Sequence, residues 1–217
     1  YVVDNNLDVL KNFPRYLEPA EGHPYKATSD GSVSVADLNN DGNLELIVES
    51  SSCNPNDGDC SREGGISRIW VLDSQGDILN GWPKEINYVT AKDLVIGDLN
   101  KDNYKEIIVG TFDGSVFAFN YKGEIIDGWP VSVRSDYNYG NEIRGLSIGD
   151  INIDGDIEIV FTKGSYLYVY NRFGQEDFIV SPYSPYLSSG FGGIPILANI
   201  DNDANMEIIA PFGYGTF

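Results

Sequence analysis

The sequence is poor in the groups on which many enzymes and nucleic-acid readers depend. It has one histidine, His23, in 217 residues, so any Ser-His-Asp or Cys-His scheme would rest on a single side chain. Its context, Glu21-Gly22-His23-Pro24-Tyr25, reads as a loop with no nucleophile motif nearby. No G-x-S-x-G, phosphate-binding glycine loop or transition-metal cluster occurs. The expectation is a protein that is not an enzyme, with carboxylate-pair chemistry on a polysaccharide as the less favoured alternative. Lysine and arginine number 14 against 33 acidic residues, a formal charge of −19. Phosphate recognition needs clustered cations, so nucleic acid is not an expected partner. No apolar run approaches the ~18 residues of a membrane span. There is no initiator methionine and no signal peptide, so the chain reads as a mature product or a fragment.

Cysteine is almost absent. Cys53 and Cys60 lie close together in a polar stretch and are too few for a tetrahedral zinc site. They read as a local disulfide in an oxidising compartment, the alternative being two free thiols. A 3.6-residue apolar stripe is also lacking, whereas short Val, Ile, Tyr and Phe runs between Gly, Asn and Asp are plentiful. The fold class is therefore all-β.

What the sequence has in abundance is one acidic pattern, D-x-N-x-D-G-x-x-E, clearest at Asp150, Asn152, Asp154, Asp156 and Glu158. Hard cations such as Ca²⁺ take six to eight oxygen ligands. Oxygens at positions 1, 3 and 5 converge when the loop curls. Gly155 at position 6 permits the turn, the Asp156 carbonyl joins at position 7, and Glu158 at position 9 closes the shell. Asp37, Asn39, Asp41, Asn43 and Glu45 repeat these offsets. So do Asp98, Asn100, Asp102, Tyr104 and Glu106, and again Asn199, Asp201, Asp203, Asn205 and Glu207. Asn, Asp and Gly favour turns without any metal. Turn propensity does not explain why a carboxylate stands at position 9, at the start of an apolar run, in all four copies. Up to four Ca²⁺ ions are expected. The Asn199 loop should be weakest, since it has an amide at position 1 and Ala204 at the turn.

These motifs resemble the FG-GAP or VCBS repeat family, typified by the blades of the integrin α-subunit propeller. The resemblance spans nearly the whole chain. It implies a β-propeller with Ca²⁺ in the hairpin between the first two strands of each blade. The family usually has seven blades, whereas four motifs are present here.

The motifs start at 37, 98, 150 and 199, which sets out one repeat domain over 1–217. A closing half-blade and connection would occupy 1–36. Repeats would follow over 37–97, 98–149 and 150–198, with a second half-blade over 199–217. The segment Tyr1 to Phe13-Pro14 aligns with Trp70 to Trp82-Pro83 and with Phe117 to Trp129-Pro130. A propeller of four four-stranded antiparallel blades, one split between the termini, is the expected architecture. Each fourth strand should end in the aromatic–Pro pair. The face opposite the acidic loops would carry the blade connections, with Tyr137, Tyr139, Tyr183 and Tyr186 as candidate partner-binding residues.

The functional expectation is an extracellular or cell-surface calcium-binding propeller that engages a protein or glycan. The alternatives are a structural subunit that self-associates head to tail through its half-blades, and an excised segment of a longer propeller.

Overall fold

The computed structural model describes residues 1–17, 33–52, 65–133, 142–164, 166–180, 190–191 and 193–213. Among them there is no helix, and the strands form three four-stranded and two two-stranded antiparallel sheets. The first four-stranded sheet runs β1 (Val33–Ala36), β2 (Glu45–Ser52), β3 (Ile66–Leu72), β4 (Lys84–Ile86). The second runs β5 (Thr90–Gly97), β6 (Glu106–Thr111), β7 (Ser115–Phe119), β8 (Val131–Ser132). The third runs β9 (Ile143–Gly149), β10 (Glu158–Lys163), β11 (Tyr166–Tyr170), β12 (Glu176–Val180). Each is a meander whose spatial order is its chain order. The remaining strands are β13 (Gly190–Phe191), which pairs with β16 (Phe212–Gly213), and β14 (Ile196–Ala198), which pairs with β15 (Glu207–Ile209).

The first strands lie side by side in sequence: β1 by β5, β5 by β9 and β9 by β14. The sheets therefore stack face to face, and a middle sheet is covered on both sides. This is why β6 is buried at every position and its centre, Ile107 to Val109, reads as a continuous apolar run rather than an alternating one. Ile107 and Val109 pack with Ile47, Ile69 and Val71 of the first sheet. Ile108 packs instead with Ile159 and Phe161 of the third. A smaller core of Val160, Leu167 and Val169 faces Leu197 and Ile208 of β14 and β15.

The aromatic–Pro pairs open the fourth strands rather than ending them, because Trp82-Pro83 precedes β4 and Trp129-Pro130 precedes β8. Proline lacks an N–H and is tolerated at a strand start, where no ladder bond is lost. Each pair also locks its sheet to the next. The Trp82 indole N–H donates to the Tyr121 carbonyl at 2.9 Å and its ring meets Phe119 edge-on. Trp129 donates likewise to the Arg172 carbonyl at 3.3 Å. The N-terminal segment repeats this geometry. Val3 bridges Val9 as Leu72 bridges Ile78 and Phe119 bridges Ile125. Asn12 donates to the Gln75 carbonyl at 3.0 Å, and Arg15 pairs with Asp77. The expected joining of Tyr1 to Phe217 in one blade lies outside the described residues, since 214–217 are not among them.

The seams bring backbone against backbone. A methyl group on Gly128, at φ +89°, would stand 2.2 Å from the Phe173 carbonyl oxygen. Gly42 has nearly the same φ, +86°, with nothing within 4 Å. Gly42→Ala should therefore cost only the left-handed backbone strain, about 1–2 kcal/mol. Gly128→Ala should lose about 1–3 kcal/mol more through overpacking. Urea unfolding of the two variants gives the comparison, and equal losses would refute the seam contact.

Candidate metal centre

All four acidic loops are hairpins joining the first and second strands of their sheets, and Glu45, Glu106, Glu158 and Glu207 each open the second strand. The curl is set by two left-handed residues. Position 4 has φ of 56° at Asn40, 62° at Lys101, 60° at Ile153 and 63° at Asn202. Position 6 has 86° at Gly42, 69° at Asn103 and 84° at Gly155. Ala204 does not share this conformation. A β-branched residue at positive φ is an outlier, so Ile153 is held against its preference by the rest of its loop.

The loops share one hydrogen-bond scheme. The position-1 carboxylate accepts the N–H of positions 5 and 6: Asp37 from Asp41 and Gly42, Asp98 from Asp102 and Asn103, Asp150 from Asp154 and Gly155, all at 2.9–3.1 Å. The amide oxygens of Asn39, Asn100 and Asn152 also accept the position-5 N–H. Position 5 in turn accepts from position 7, as Asp41 does from Asn43, Asp102 from Tyr104 and Asp154 from Asp156, at 2.8 Å in each case. Finally the position-9 glutamate accepts the position-2 N–H: Glu45 from Leu38, Glu106 from Leu99, Glu158 from Ile151 and Glu207 from Ile200. Backbone donors thus orient the position-1 carboxylates toward the inside of each of the first three loops.

The fourth loop departs where its sequence does. Asn199 accepts from Asn202 at 2.7 Å, and its amide N–H donates to the Asp203 carbonyl. Here carboxylate oxygens of Asp201, Asp203 and Glu207 lie within 4.8 Å of one another, a triad with the geometry to hold a metal ion. This is the loop expected to be weakest, yet it gathers its carboxylates most closely among the described residues. With no aspartate at position 1, no carboxylate there is drawn to backbone donors.

The position-7 side chains of the second and third loops make contacts beyond their own loops. Tyr104 packs on Tyr121 with ring centroids 4.6 Å apart and the planes tilted by 35°. Asp156 pairs with Lys101 and, at 3.2 Å, with Arg172. Lys101 and Arg172 were not singled out from the sequence; their only signal is their offset from the motif. Tyr137, Tyr139, Tyr183 and Tyr186 lie outside the described residues, as do Cys53 and Cys60.

Glu45, Glu106 and Glu158 are buried, and burial pushes each carboxyl up, helped by the neighbouring aspartates. Glu106 is pushed up to about 7 from 4.5. The backbone N–H of Asn43 holds Asp41 below the usual range, and the Lys101 ion pair does the same for Asp156. A raised folded-state pKa means the native chain binds the proton more tightly, so cation-free stability falls as pH rises from 4.5 to about 7. The depressed aspartates act only at lower pH, where their contribution is lost on acidification. Urea unfolding in EDTA should show greater stability at the acid end of that window, with Glu106→Gln flattening the slope. A slope unchanged by that substitution would contradict the assignment to Glu106.

No family model matches the chain, and no curated protein matches it. Solved structures do. The exotype rhamnogalacturonan lyase YesX is 21% identical with a TM-score of 0.61, covering 91% of this chain and 41% of its own. The rhamnogalacturonan lyase YesW is 18% identical with a TM-score of 0.57, covering 91% and 42%. The V. cholerae biofilm matrix protein Bap1 is 19% identical with a TM-score of 0.49, covering 82% and 23%. The chain thus spans about two-fifths of the length of the two lyases. The likeness to YesX and YesW corrects the expectation that the chain is not an enzyme, because both of those structures are lyases. The expectation rested on missing nucleophile and histidine motifs, but proton transfer is open to Glu, Asp, Lys and Tyr as well.

Proposed function

We propose that the chain is a run of calcium-stabilised β-propeller blades of the FG-GAP or VCBS type, in an extracellular, carbohydrate-directed protein. The observation that carries this reading is the fourfold hydrogen-bond scheme, with a buried glutamate closing each of the first three loops. Buried carboxylates facing other carboxylates are costly alone, and a hard divalent cation with oxygen ligands offsets that cost. The residues fit such an ion: positions 1, 3, 5 and 9 supply side-chain oxygens, and position 7 a carbonyl. In the fourth loop Asp201, Asp203 and Glu207 would serve. Four divalent ions would also offset eight of the 19 net negative charges, easing the approach of an acidic polysaccharide. The likeness to two rhamnogalacturonan lyases supports a polysaccharide ligand over a protein one.

Extracellular calcium modules have dissociation constants of about 10⁻⁴–10⁻³ M. A site at ten times its dissociation constant adds about 1.4 kcal/mol, and each kcal/mol moves Tm by about 2–4 °C at this size. EDTA should therefore lower Tm by roughly 10 °C if three sites fill. Calorimetry checks this, and an unchanged Tm removes the calcium reading. Asp150→Ala should lose more of the calcium-dependent rise than Asn199→Ala, because the Asp150 carboxylate organises two backbone donors.

Exposed apolar side chains favour a second reading, a segment of a longer propeller. Ile196, Ile200, Met206 and Ile209 around β14 and β15 are exposed, as are Tyr1 and Leu7, and apolar surface of this extent marks a packing partner. In sedimentation, the 217-residue chain should self-associate, and Ile196→Asp with Ile209→Lys should return it to monomer. A monomer at high concentration would sink this reading while leaving the calcium reading intact.

A further inference from the structure

We infer that Lys101 couples the second and third acidic loops, so that calcium bound at one raises the affinity of the other. The inference rests on the calcium reading above and goes beyond it, since that reading treats the loops as independent. Lys101 is position 4 of the second loop, one of the two residues whose left-handed backbone makes the curl. Its ammonium group leaves its own loop and pairs with Asp156, position 7 of the third. The Asp156 carboxylate also meets the Arg172 guanidinium at 3.2 Å. Lys101 is about half exposed and Asp156 and Arg172 are partly so, so the bridge is screened as a surface ion pair is.

Arg172 is itself fixed from two sides. Its carbonyl accepts the Trp129 indole N–H, and its guanidinium lies 4.1 Å from the Phe173 ring centroid. The link thus runs from the second loop through the third and into the turn clamped by Trp129 of the second sheet.

The other repeats show that the ionic form is particular to this pair. In the second repeat the place of Asp156 and Arg172 is taken by Tyr104 and Tyr121, whose rings pack in a tilted contact. The corresponding position-4 and position-7 pairs are Asn40 with Tyr104 and Ile153 with Asn205, and neither pair carries opposite charges. Closing the second loop fixes the root of Lys101, and Lys101 fixes Asp156, whose carbonyl is the position-7 ligand. The ordering cost of the third loop is thus partly met by filling the second, and linkage makes the effect reciprocal.

Charge alone predicts the opposite of this bridge. A cation beside a calcium loop repels the ion, so removing Lys101 would tighten binding if electrostatics governed. The test is a calcium titration of the ¹⁵N-glycine-labelled chain by NMR. The Gly155 amide reports the third loop and the Gly42 amide the first, an internal standard. Asp98→Asn, which cripples the second loop, should raise the Gly155 midpoint about three- to fivefold, the upper range for a surface ion pair. Lys101→Met should do the same, and the double variant should shift no further than either alone. The coupling is overturned if Asp98→Asn leaves the Gly155 midpoint unchanged, or if the two shifts multiply. If Gly42 loses its native position in Asp98→Asn, Lys101→Met decides alone, and a lowered or unmoved Gly155 midpoint overturns the bridge. A Gly155 amide that ignores calcium even in the native chain would instead remove the calcium reading at that loop.

Discussion

The fold turns on a glutamate at the first residue of a strand, reaching back seven residues to a backbone N–H. Glu45, Glu106, Glu158 and Glu207 make this contact with Leu38, Leu99, Ile151 and Ile200. It sets the loop length, because the strand can resume only where the carboxylate meets that N–H. It sets the register too, since the same glutamates pair with Ala36, Gly97, Gly149 and Ala198 across the hairpin. Three of the four are buried, so the contact carries a desolvation cost that a polar turn would avoid. A buried charge repeated at one offset is hard to explain by turn formation alone.

Much of this was legible in the sequence, and for a physical reason. Loop geometry of this kind is local: positions 1 to 9 lie in one hairpin, so spacing alone encodes which groups converge. The strand grammar was equally local, and the four loop positions and their strand starts agree with the structure. The aromatic–Pro pairs were misplaced by one boundary, because their partners, Tyr121 and Arg172, lie in the next repeat. Lys101 and Arg172 escaped notice for the same reason: each acts across a seam, and no spacing rule within one motif reveals it. In the fourth loop the missing position-1 carboxylate was legible, but not the gathering of Asp201, Asp203 and Glu207 that accompanies it.

The correction about catalysis follows similar lines. Motif searching finds chemistry that is contiguous in the chain, whereas stacked sheets assemble surfaces from many separate strand ends. At the ends opposite the acidic loops, two further carboxylates sit among hydroxyls. Glu49 accepts from Ser51, and Asp113 accepts from Thr111 and Ser115. Lys163 is buried and donates to the Val133 carbonyl; burial holds its ammonium below the usual range, opposed by Asp113. None of these residues belongs to a recognisable linear motif.

The contact between Gly128 and the Phe173 carbonyl has a bearing on how such a chain tolerates change in length. Where backbone meets backbone at this distance, the pitch between neighbouring sheets is fixed and an added residue has nowhere to go. Growth is confined to connections that cross no seam contact. The intervals between motif starts bear this out. The first is the longest, and its surplus lies between β2 and β3, where residues 53–65 stand against the three residues 112–114 of the next repeat. The extra length of the first repeat thus falls in a connection other than its acidic hairpin. The stack can diversify that connection while its spacing stays the same.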